Sequence, residues 1–240
     1  MTGPGVPPAN VDAGELARFG EVAARWWEAD GPFRPLHDLN PQRLGFIAER
    51  LTLADARIAD IGCGGGILAE ALARAGARVT AVDLAVEALE VARLHATESG
   101  IVVDYRLQSA EALAAEQAGD FDAVACLEML EHVPDPLSVL RACRDLLKPG
   151  GRLFLSTLNR TPRAFALGIV GAEYLLGLLP RGTHRYERFL KPSELRRALV
   201  GLGFDAIEFV GLAYDPFARR ATRGSDLSIN YLATAVRGSC

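Results

Sequence analysis

The stretch DIGCGGG at residues 60–66 has the composition of a turn that holds a small polar ligand. Asp60 supplies a carboxylate, and glycines, which lack a Cβ, let a ligand approach the backbone closely. Three interpretations of such a turn predict different neighbours. It could hold a dinucleotide phosphate, it could hold a nucleoside cofactor without phosphate, or it could be a tight turn that binds nothing.

The neighbours of this turn favour a nucleoside cofactor. Ile67 occupies the place of the third glycine in the dinucleotide pattern GxGxxG. Asp60 would repel a pyrophosphate, whereas it would accept hydrogen bonds from an ammonium group. Asp83 ends the next apolar run, where folds of this kind place an acid that binds ribose hydroxyls. S-adenosylmethionine carries both an ammonium group and a ribose. The candidate cofactor-binding residues are therefore Asp60, Gly62, Gly64 and Asp83.

A second cluster of chemically active residues lies in CLEMLEHVPDP, residues 126–136. If this segment turns helically, the spacing brings Glu128, Glu131 and His132 onto one side. Two carboxylates and an imidazole can bind a divalent metal, although magnesium prefers oxygen ligands and makes His132 an atypical partner. The same residues could instead form a general base flanked by two acids, or be charges in a loop. The sequence leaves these alternatives open.

Both clusters belong to an alternating pattern of short apolar runs and amphipathic helical stretches that begins near residue 57. This alternation predicts an α/β fold, with a mostly parallel sheet covered by helices on both faces. Each cluster directly follows a predicted strand. Both are therefore expected at the carboxyl edge of the sheet, where open α/β folds bind ligands. The predicted strands are RIADIG, RVTAVD, VVDYRL, FDAVACLEM, RLFLSTLN, FDAIEFVGLAYD and SDLSINYLATAVRG.

Two helices are predicted before the first strand. Apolar residues recur at helical spacing from Ala13 to Ala29, and Asn40-Pro41 is typical of a helix start, with an N-cap followed by proline. The Pro- and Gly-rich residues 1–12 are predicted to be disordered.

Composition narrows the possible partners and compartments. Half of the 240 residues are hydrophobic, which suffices for the core of one domain, predicted here as residues 13–240. The net charge of −4 provides no global basic surface, so nucleic acid is not an expected partner. The four cysteines form no CxxC pair and the N-terminus has no signal-peptide pattern, which favours free thiols in the cytoplasm.

Several stretches resemble known families. DIGCGGG, Asp83 and LLKPGGRL resemble the class I S-adenosylmethionine-dependent methyltransferases. Over about residues 10–236, the chain is more specifically similar to the ubiquinone-biosynthesis O-methyltransferases. The stretches that carry this resemblance are RWWEADGPFRPLHDLNPQRLGFI, VARLHATESGI, CLEMLEHVPDP, LSTLNRTP and GAEYLLGLLPRGTH. The resemblance implies a Rossmann-like sheet of seven strands.

The resemblance also implies an activity, the O-methylation of 2-polyprenyl-6-hydroxyphenol and of 3-demethylubiquinol. The alternatives are another small phenolic or quinol substrate, or a membrane-associated scaffold without turnover. Other ubiquinone-biosynthesis enzymes are further candidate partners. The family's cofactor positions correspond to Arg43, Gly62, Asp83 and Leu127.

The resemblance bears on the N-terminal helices and on the second cluster as well. Arg43 would make the N-terminal helices, residues 13–53, a lid over the cofactor. Eukaryotic members of the family carry magnesium at the positions of Glu128, Glu131 and His132. A phenol needs either a metal or a base to ionise at neutral pH. We predict His132 as the base, with Glu128 and Glu131 around it, and retain the metal as an alternative.

An insertion at about residues 160–191 interrupts the pattern. Its apolar run, residues 164–179, is too short to span a bilayer, which needs about twenty residues. Basic residues flank the run, and a polyprenyl substrate resides in the membrane. The run is therefore predicted to dock on an anionic membrane surface, so that the protein is cytoplasmic and peripherally bound to the inner face. A buried helical cover over the sheet edge is the alternative.

Overall fold

The computed structural model describes residues 10–166 and 186–239, and these form an α/β structure around one sheet. The strands are β1 Arg57–Ile61, β2 Arg78–Asp83, β3 Asp104–Leu107, β4 Phe121–Leu127, β5 Leu147–Leu158, β6 Phe204–Asp215, β7 Arg220–Gly224 and β8 Asn230–Arg237. Within the described residues, the strand order is β3-β2-β1-β4-β5-β8-β6-β7. Strands β1 to β5 pair in parallel, whereas β8, β6 and β7 are antiparallel. The predicted mostly parallel, Rossmann-like sheet is confirmed.

The described part of the sheet has eight strands where seven were predicted. The additional strand, β7, pairs with β6 at the sheet edge. Asp215 ends β6 and its carboxylate accepts hydrogen bonds from the backbone of Phe217 and Ala218, which stabilises the reversal between the two strands. The sequence of β7, RATRG, has no apolar alternation because an edge strand can face solvent on both sides. Periodicity therefore did not reveal it.

Helices cover both faces of the sheet, as predicted. Helices α2, α3 and α4 pack into one apolar layer, while α5, α6 and α8 pack into the other. The helices are α1 Ala13–Val22, α2 Arg34–Ala48, α3 Ile67–Arg74, α4 Val86–Glu98, α5 Ala110–Glu116, α6 Pro136–Leu146, α7 Pro162–Ala164 and α8 Pro192–Gly201.

The second N-terminal helix begins earlier than predicted. Asn40 does not cap it; α2 starts at Arg34, with Pro35 in its first turn and Pro41 in its interior. Pro41 cannot donate a helical hydrogen bond, but the buried side chains of Leu39 and Phe46 on either side hold the helix against the core. The amide of Asn40 instead donates to the Ile67 carbonyl (3.2 Å). Tertiary packing thus outweighs the local helix-start signal.

The chain is held in place from Asn10 onward, so the prediction of disorder for residues 1–12 does not apply to its last three positions. The side chain of Asp12 caps α1 by accepting from the backbone of Gly14 and Glu15. The side-chain amide of Asn10 donates to the Asp135 carbonyl (2.8 Å). Helix α1 ends at Val22, and a 3-10 turn replaces the last part of the helix predicted to extend to Ala29.

The glycine turn is covered by an aromatic side chain of the N-terminal segment. Trp26 is buried, and a Cβ at either Gly64 or Gly65 would collide with its indole ring. The same indole stacks on Phe33, with ring centroids 3.8 Å apart. The neighbouring Trp27 donates a hydrogen bond to the Gly65 carbonyl (2.9 Å). Two glycines of the turn are therefore required by the protein's own packing.

We expect Gly65→Ala to destabilise the protein, because the added methyl would displace Trp26 at a cost of about 1–3 kcal/mol. In a Trp26→Ala background, the same substitution should cost much less, because the space is vacated. Gly201→Ala is the matched control, since a Cβ at this position in α8 meets no atom within 4 Å. Chemical denaturation of the variants measures the free energy of unfolding and thus the coupling between positions 26 and 65. An equal loss of stability from Gly65→Ala in both backgrounds would contradict this packing.

Candidate active site

A cavity of about 680 Å³ opens at the carboxyl edge of β1, β2 and β4. This volume is typical of small-molecule sites, which span about 300–1,000 Å³. The glycine turn lines part of the cavity, and the N-terminal segment lines another part with Leu16, Trp26 and Phe33. Eight of the nine predicted site residues line it, namely Arg43, Asp60, Gly62, Gly64, Asp83, Leu127, Glu128 and His132. The ninth, Glu131, is not part of the wall.

Asp60 is a buried carboxylate at the end of β1, only 3% exposed. Its Oδ2 atom has no hydrogen-bond donor among residues 10–166 and 186–239. Burial raises the pKa of Asp60 to about 7, helped by the negative charge of Asp83 and opposed by the guanidinium of Arg43. A buried acceptor without a donor in the protein is suited to a cationic ligand group.

Asp83 holds the glycine turn in place. Its Oδ2 accepts from the Gly64 amide (2.8 Å), and its Oδ1 accepts from the amides of Leu84 and Ala85 (2.7 and 2.9 Å). Burial raises the pKa of Asp83, although these three hydrogen bonds oppose the rise. A carboxylate has about four acceptor positions, so three backbone donors leave room for a ligand hydroxyl. Gly62 adopts the left-handed conformation (φ 71°) that turns the chain between Asp60 and this cluster.

Arg43 reaches from α2 across the cavity to Glu128. Its Nη2 atom lies 3.0 Å from Glu128 Oε1, and the two side chains are only 7% and 17% exposed. The same oxygen accepts from Ser156 Oγ (2.7 Å) and from Asn230 Nδ2 (3.1 Å). Glu128 has a positive φ of 52°, which is unfavourable for a residue with a side chain, so this network supports a strained backbone. Leu127 precedes it at the end of β4 and adds an apolar part of the wall.

Glu131 points away from the cavity. It is buried, and its Oε2 accepts from Thr157 Oγ1 on β5 (2.9 Å). The residues Leu130–His132 form a 3-10 turn that excludes Glu128, so the helical geometry that would bring the three side chains together does not occur. Glu131 therefore does not line the cavity with Glu128 and His132, although its charge still acts on His132.

His132 lines the cavity and contacts a residue that the sequence did not single out. Its Nδ1 lies 3.0 Å from Oε2 of Glu15, which is buried on α1. Burial lowers the pKa of His132, but the hydrogen bond to Glu15 and the charges of Glu131 and Glu128 outweigh it and raise the pKa overall. Glu15 falls in the first turn of a helix, where acidic residues are common for electrostatic reasons. No sequence signal distinguished it.

The predicted magnesium ligands do not converge. Glu128 bonds Arg43, Glu131 bonds Thr157, and His132 bonds Glu15. Among the residues that the structure describes, no group of three His, Cys, Asp or Glu side chains could hold a metal ion. The described residues therefore give no support to the magnesium alternative.

The described ends of the insertion are held by ion pairs. Arg160 pairs with Glu194, Arg163 with Asp226 (2.8 Å), and Arg188 with Asp12 (2.9 Å). Most of the predicted apolar run, residues 164–179, lies outside the described residues. In the described part of the chain, no helix is long and apolar enough to cross a membrane.

Several solved structures with a similar fold are described as methyltransferases. The structure of magnesium protoporphyrin IX methyltransferase from Synechocystis PCC 6803 with bound SAH matches with a TM-score of 0.63 at 23% identity, covering 86% of this chain and 85% of that chain. The structure of the same enzyme with bound SAM matches with a TM-score of 0.62 at 19% identity, covering 96% and 99%. At these identities the likeness shows the fold.

Sequence relatives are much more similar. Residues 59–155 match the family described as "Methyltransferase domain". The protein named "Ubiquinone biosynthesis O-methyltransferase" from Xanthomonas axonopodis pv. citri is 58% identical over 95% of this chain and 96% of its own length. The protein of the same name from Xanthomonas oryzae pv. oryzae is 58% identical over 95% of both chains. This chain therefore belongs to the family of ubiquinone biosynthesis O-methyltransferases.

Proposed function

We propose that this protein transfers the methyl group of S-adenosylmethionine to a hydroxyl of 2-polyprenyl-6-hydroxyphenol and of 3-demethylubiquinol. The observation that carries the proposal is that Asp60, Asp83 and His132 line one cavity. This reaction needs an acceptor for the ammonium group, an acceptor for the ribose and a base, and these three residues are the candidates in this order. The name shared by the 58% identical relatives supports the substrate class.

The cofactor-binding residues follow from the same geometry. The unpaired Oδ2 of Asp60 accepts from the ammonium group, and Asp83 accepts from ribose hydroxyls beside the turn at Gly62 and Gly64. Leu127 supplies an apolar wall. When bound, S-adenosylmethionine supplies a methyl group that its sulfonium already activates. The chain's own residues therefore have to orient the acceptor, exclude water and remove a proton.

His132 is the residue that takes this proton. A phenol with a pKa near 10 is mostly protonated at neutral pH, so a base within reach of its hydroxyl accelerates the transfer. Glu128 is less suited to the role, because its Oε1 already accepts from Arg43, Ser156 and Asn230. We assign Glu128 to holding Arg43 and Glu131 to holding β5, with no step through a metal.

The N-terminal segment, residues 13–53, acts as a lid over the bound cofactor. Trp26 packs on the glycine turn, and Arg43 pairs with a residue that follows β4. Cofactor exchange then requires this segment to move, since it forms one wall of the cavity.

The insertion at residues 160–191 docks on the inner face of the membrane. Arg160, Arg163 and Arg188 are paired with acids, so their charges are largely neutralised within the protein. We therefore assign the attraction for anionic lipid to Arg181 and Arg185, together with the apolar run 164–179.

Replacing Asp60 with Asn should weaken S-adenosylmethionine binding about tenfold or more, because a charge-assisted hydrogen bond contributes about 1.5–3 kcal/mol. The affinity of the native protein should rise between about pH 5.5 and 7.5, because Asp60, with a pKa of about 7, loses its proton over this range. The Asn variant should lack this rise. Titration calorimetry measures both effects, with the exposed Asp205→Asn as control. A native affinity independent of pH, or tighter binding of NAD, would argue against this assignment.

His132→Ala should lower kcat at least a hundredfold, because a general base typically accelerates a reaction by a factor of about 10²–10⁴. The Kd for S-adenosylmethionine should stay within about twofold of the native value. Transfer of labelled methyl to a short-chain prenyl catechol measures kcat. A chelator should leave the rate unchanged. Loss of activity with chelator and recovery with magnesium would restore the metal alternative, and a normal rate in His132→Ala would reject the base.

The double variant Arg181→Glu with Arg185→Glu should abolish binding to vesicles of phosphatidylcholine and phosphatidylglycerol at low salt, because each basic residue contributes about 1 kcal/mol near an anionic surface. Co-sedimentation measures binding. Arg197→Glu, an exposed change on α8, is the charge control and should bind normally.

The apolar part of the run is tested in the same assay. The double variant Leu175→Asp with Leu178→Asp should weaken binding to the vesicles at high salt. The control is Leu94→Asp on α4, where Leu94 is 61% exposed, and it should leave binding unchanged. Native protein that stays in the supernatant at low salt would contradict the membrane assignment and favour a buried cover.

A further inference from the structure

Helix α1 carries a carboxylate into the cavity wall beside the candidate base. Glu15 is 6% exposed, although it lies on a surface helix, and its Oε2 lies 3.0 Å from His132 Nδ1. We propose that Glu15 is the positioning residue of the methyl transfer, which holds His132 in the tautomer and orientation that accept the acceptor's proton. The proposal rests on the proposed role of His132.

The contact determines which ring nitrogen of His132 carries hydrogen. A carboxylate only accepts hydrogen bonds, so Nδ1 must be the donor to Glu15. In the neutral imidazole, Nε2 is then the acceptor. His132 lines the cavity that receives the substrate, so its basic nitrogen belongs to the side of the ring that Glu15 does not occupy. A base oriented by a third group is the arrangement that recurs in activated hydroxyl and thiol sites.

The proton and electrons balance without another reactant. The phenolic O–H proton moves to His132 Nε2 while the oxygen forms a bond to the methyl carbon. The electron pair of the breaking carbon–sulfur bond stays on sulfur, which becomes a neutral thioether. The imidazolium that results lies against the Glu15 carboxylate, which stabilises its charge until the proton is released to water.

The surroundings of α1 fix Glu15 at this point. Asp12 caps the helix and also pairs with Arg188 (2.9 Å), near the end of the insertion. Asn10 bonds the Asp135 backbone in both directions, with two contacts of 2.8 Å at the start of α6. These contacts secure the start of the helix, about one turn before Glu15. The N-terminal segment therefore contributes to the chemistry and does not only cover the cofactor.

The test compares Glu15→Gln with Glu21→Gln, which removes an exposed carboxylate from the same helix. Glu15→Gln should lower kcat at least tenfold, with the Kd for S-adenosylmethionine and the Tm close to the native values. The deficit should shrink with a nitro-substituted prenyl catechol, whose acidic hydroxyl needs less help from a base. Glu21→Gln should match the native protein with both acceptors.

Two further measurements separate positioning from folding. Glu15→Gln with His132→Ala should be no slower than His132→Ala alone, because Glu15 acts through His132. Nitrogen-15 NMR of the native protein, with the signal assigned by its loss in His132→Ala, should show the Nδ1-protonated tautomer in the neutral imidazole. This measurement needs no folded Glu15 variant.

The outcomes are distinguishable. If His132→Ala is inactive but Glu15→Gln is as fast as the native protein, Glu15 has no positioning role although the base stands. A deficit of equal size for both acceptors, or an Nε2-protonated imidazole, would also overturn the proposal. A normal rate in His132→Ala would overturn the proposed base itself.

Discussion

A negative charge buried at the carboxyl end of β1 organises the cavity. Removing a carboxylate from water without a partner costs several kcal/mol. The guanidinium of Arg43 and a backbone hydrogen bond from Ala69 offset part of this cost for Asp60, while Asp83 adds to it. In the proposed function, the ligand's ammonium completes this site. The charge of Arg43, which is buried on α2, opposes the rise of the Asp60 pKa.

Among the long-range contacts of the N-terminal segment, three reach different parts of the cavity. Trp26 packs on the backbone at Gly64 and Gly65, Arg43 pairs with Glu128, and Glu15 bonds His132. The first is apolar packing and the other two are buried polar contacts, which are costly when one partner is missing. When the N-terminal helices are in place, they therefore also supply the buried partners of Glu128 and His132 in the cavity wall.

The glycine turn was predicted to border a ligand site, but its glycines also have a packing role that the sequence did not reveal. The turn does border the cavity at Gly62 and Gly64. However, a side chain at Gly62 would approach Met129, and one at Gly66, which has a left-handed φ of 87°, would collide with Tyr105. The glycines are thus needed for close packing of the protein on itself, whether or not a ligand also requires them. A motif alone cannot separate these two requirements, because both ask for the absence of a Cβ.

Much of the fold follows from local pattern, because alternation and helical spacing are properties of neighbouring residues. The strands RIADI and RVTAVD, the glycine turn between strand and helix, and the acids at Asp60 and Asp83 were all evident in the sequence. The polar edge strand β7 and the start of α2 were not, since an edge strand needs no alternation and packing of Leu39 and Phe46 overrides the signal at Asn40.

The sequence by itself therefore determined the fold class, the sheet edge that carries the site and the residue types gathered there. Only the tertiary structure decided which partner each charged side chain takes. Glu128 and Arg43 are 85 residues apart, and Glu15 and His132 are 117 apart. A 3-10 turn, and not an α-helix, carries Glu131, which bonds Thr157 on β5 while its charge still acts on His132. Such pairings depend on how α1 and α2 cross the cavity, and no local periodicity encodes that geometry.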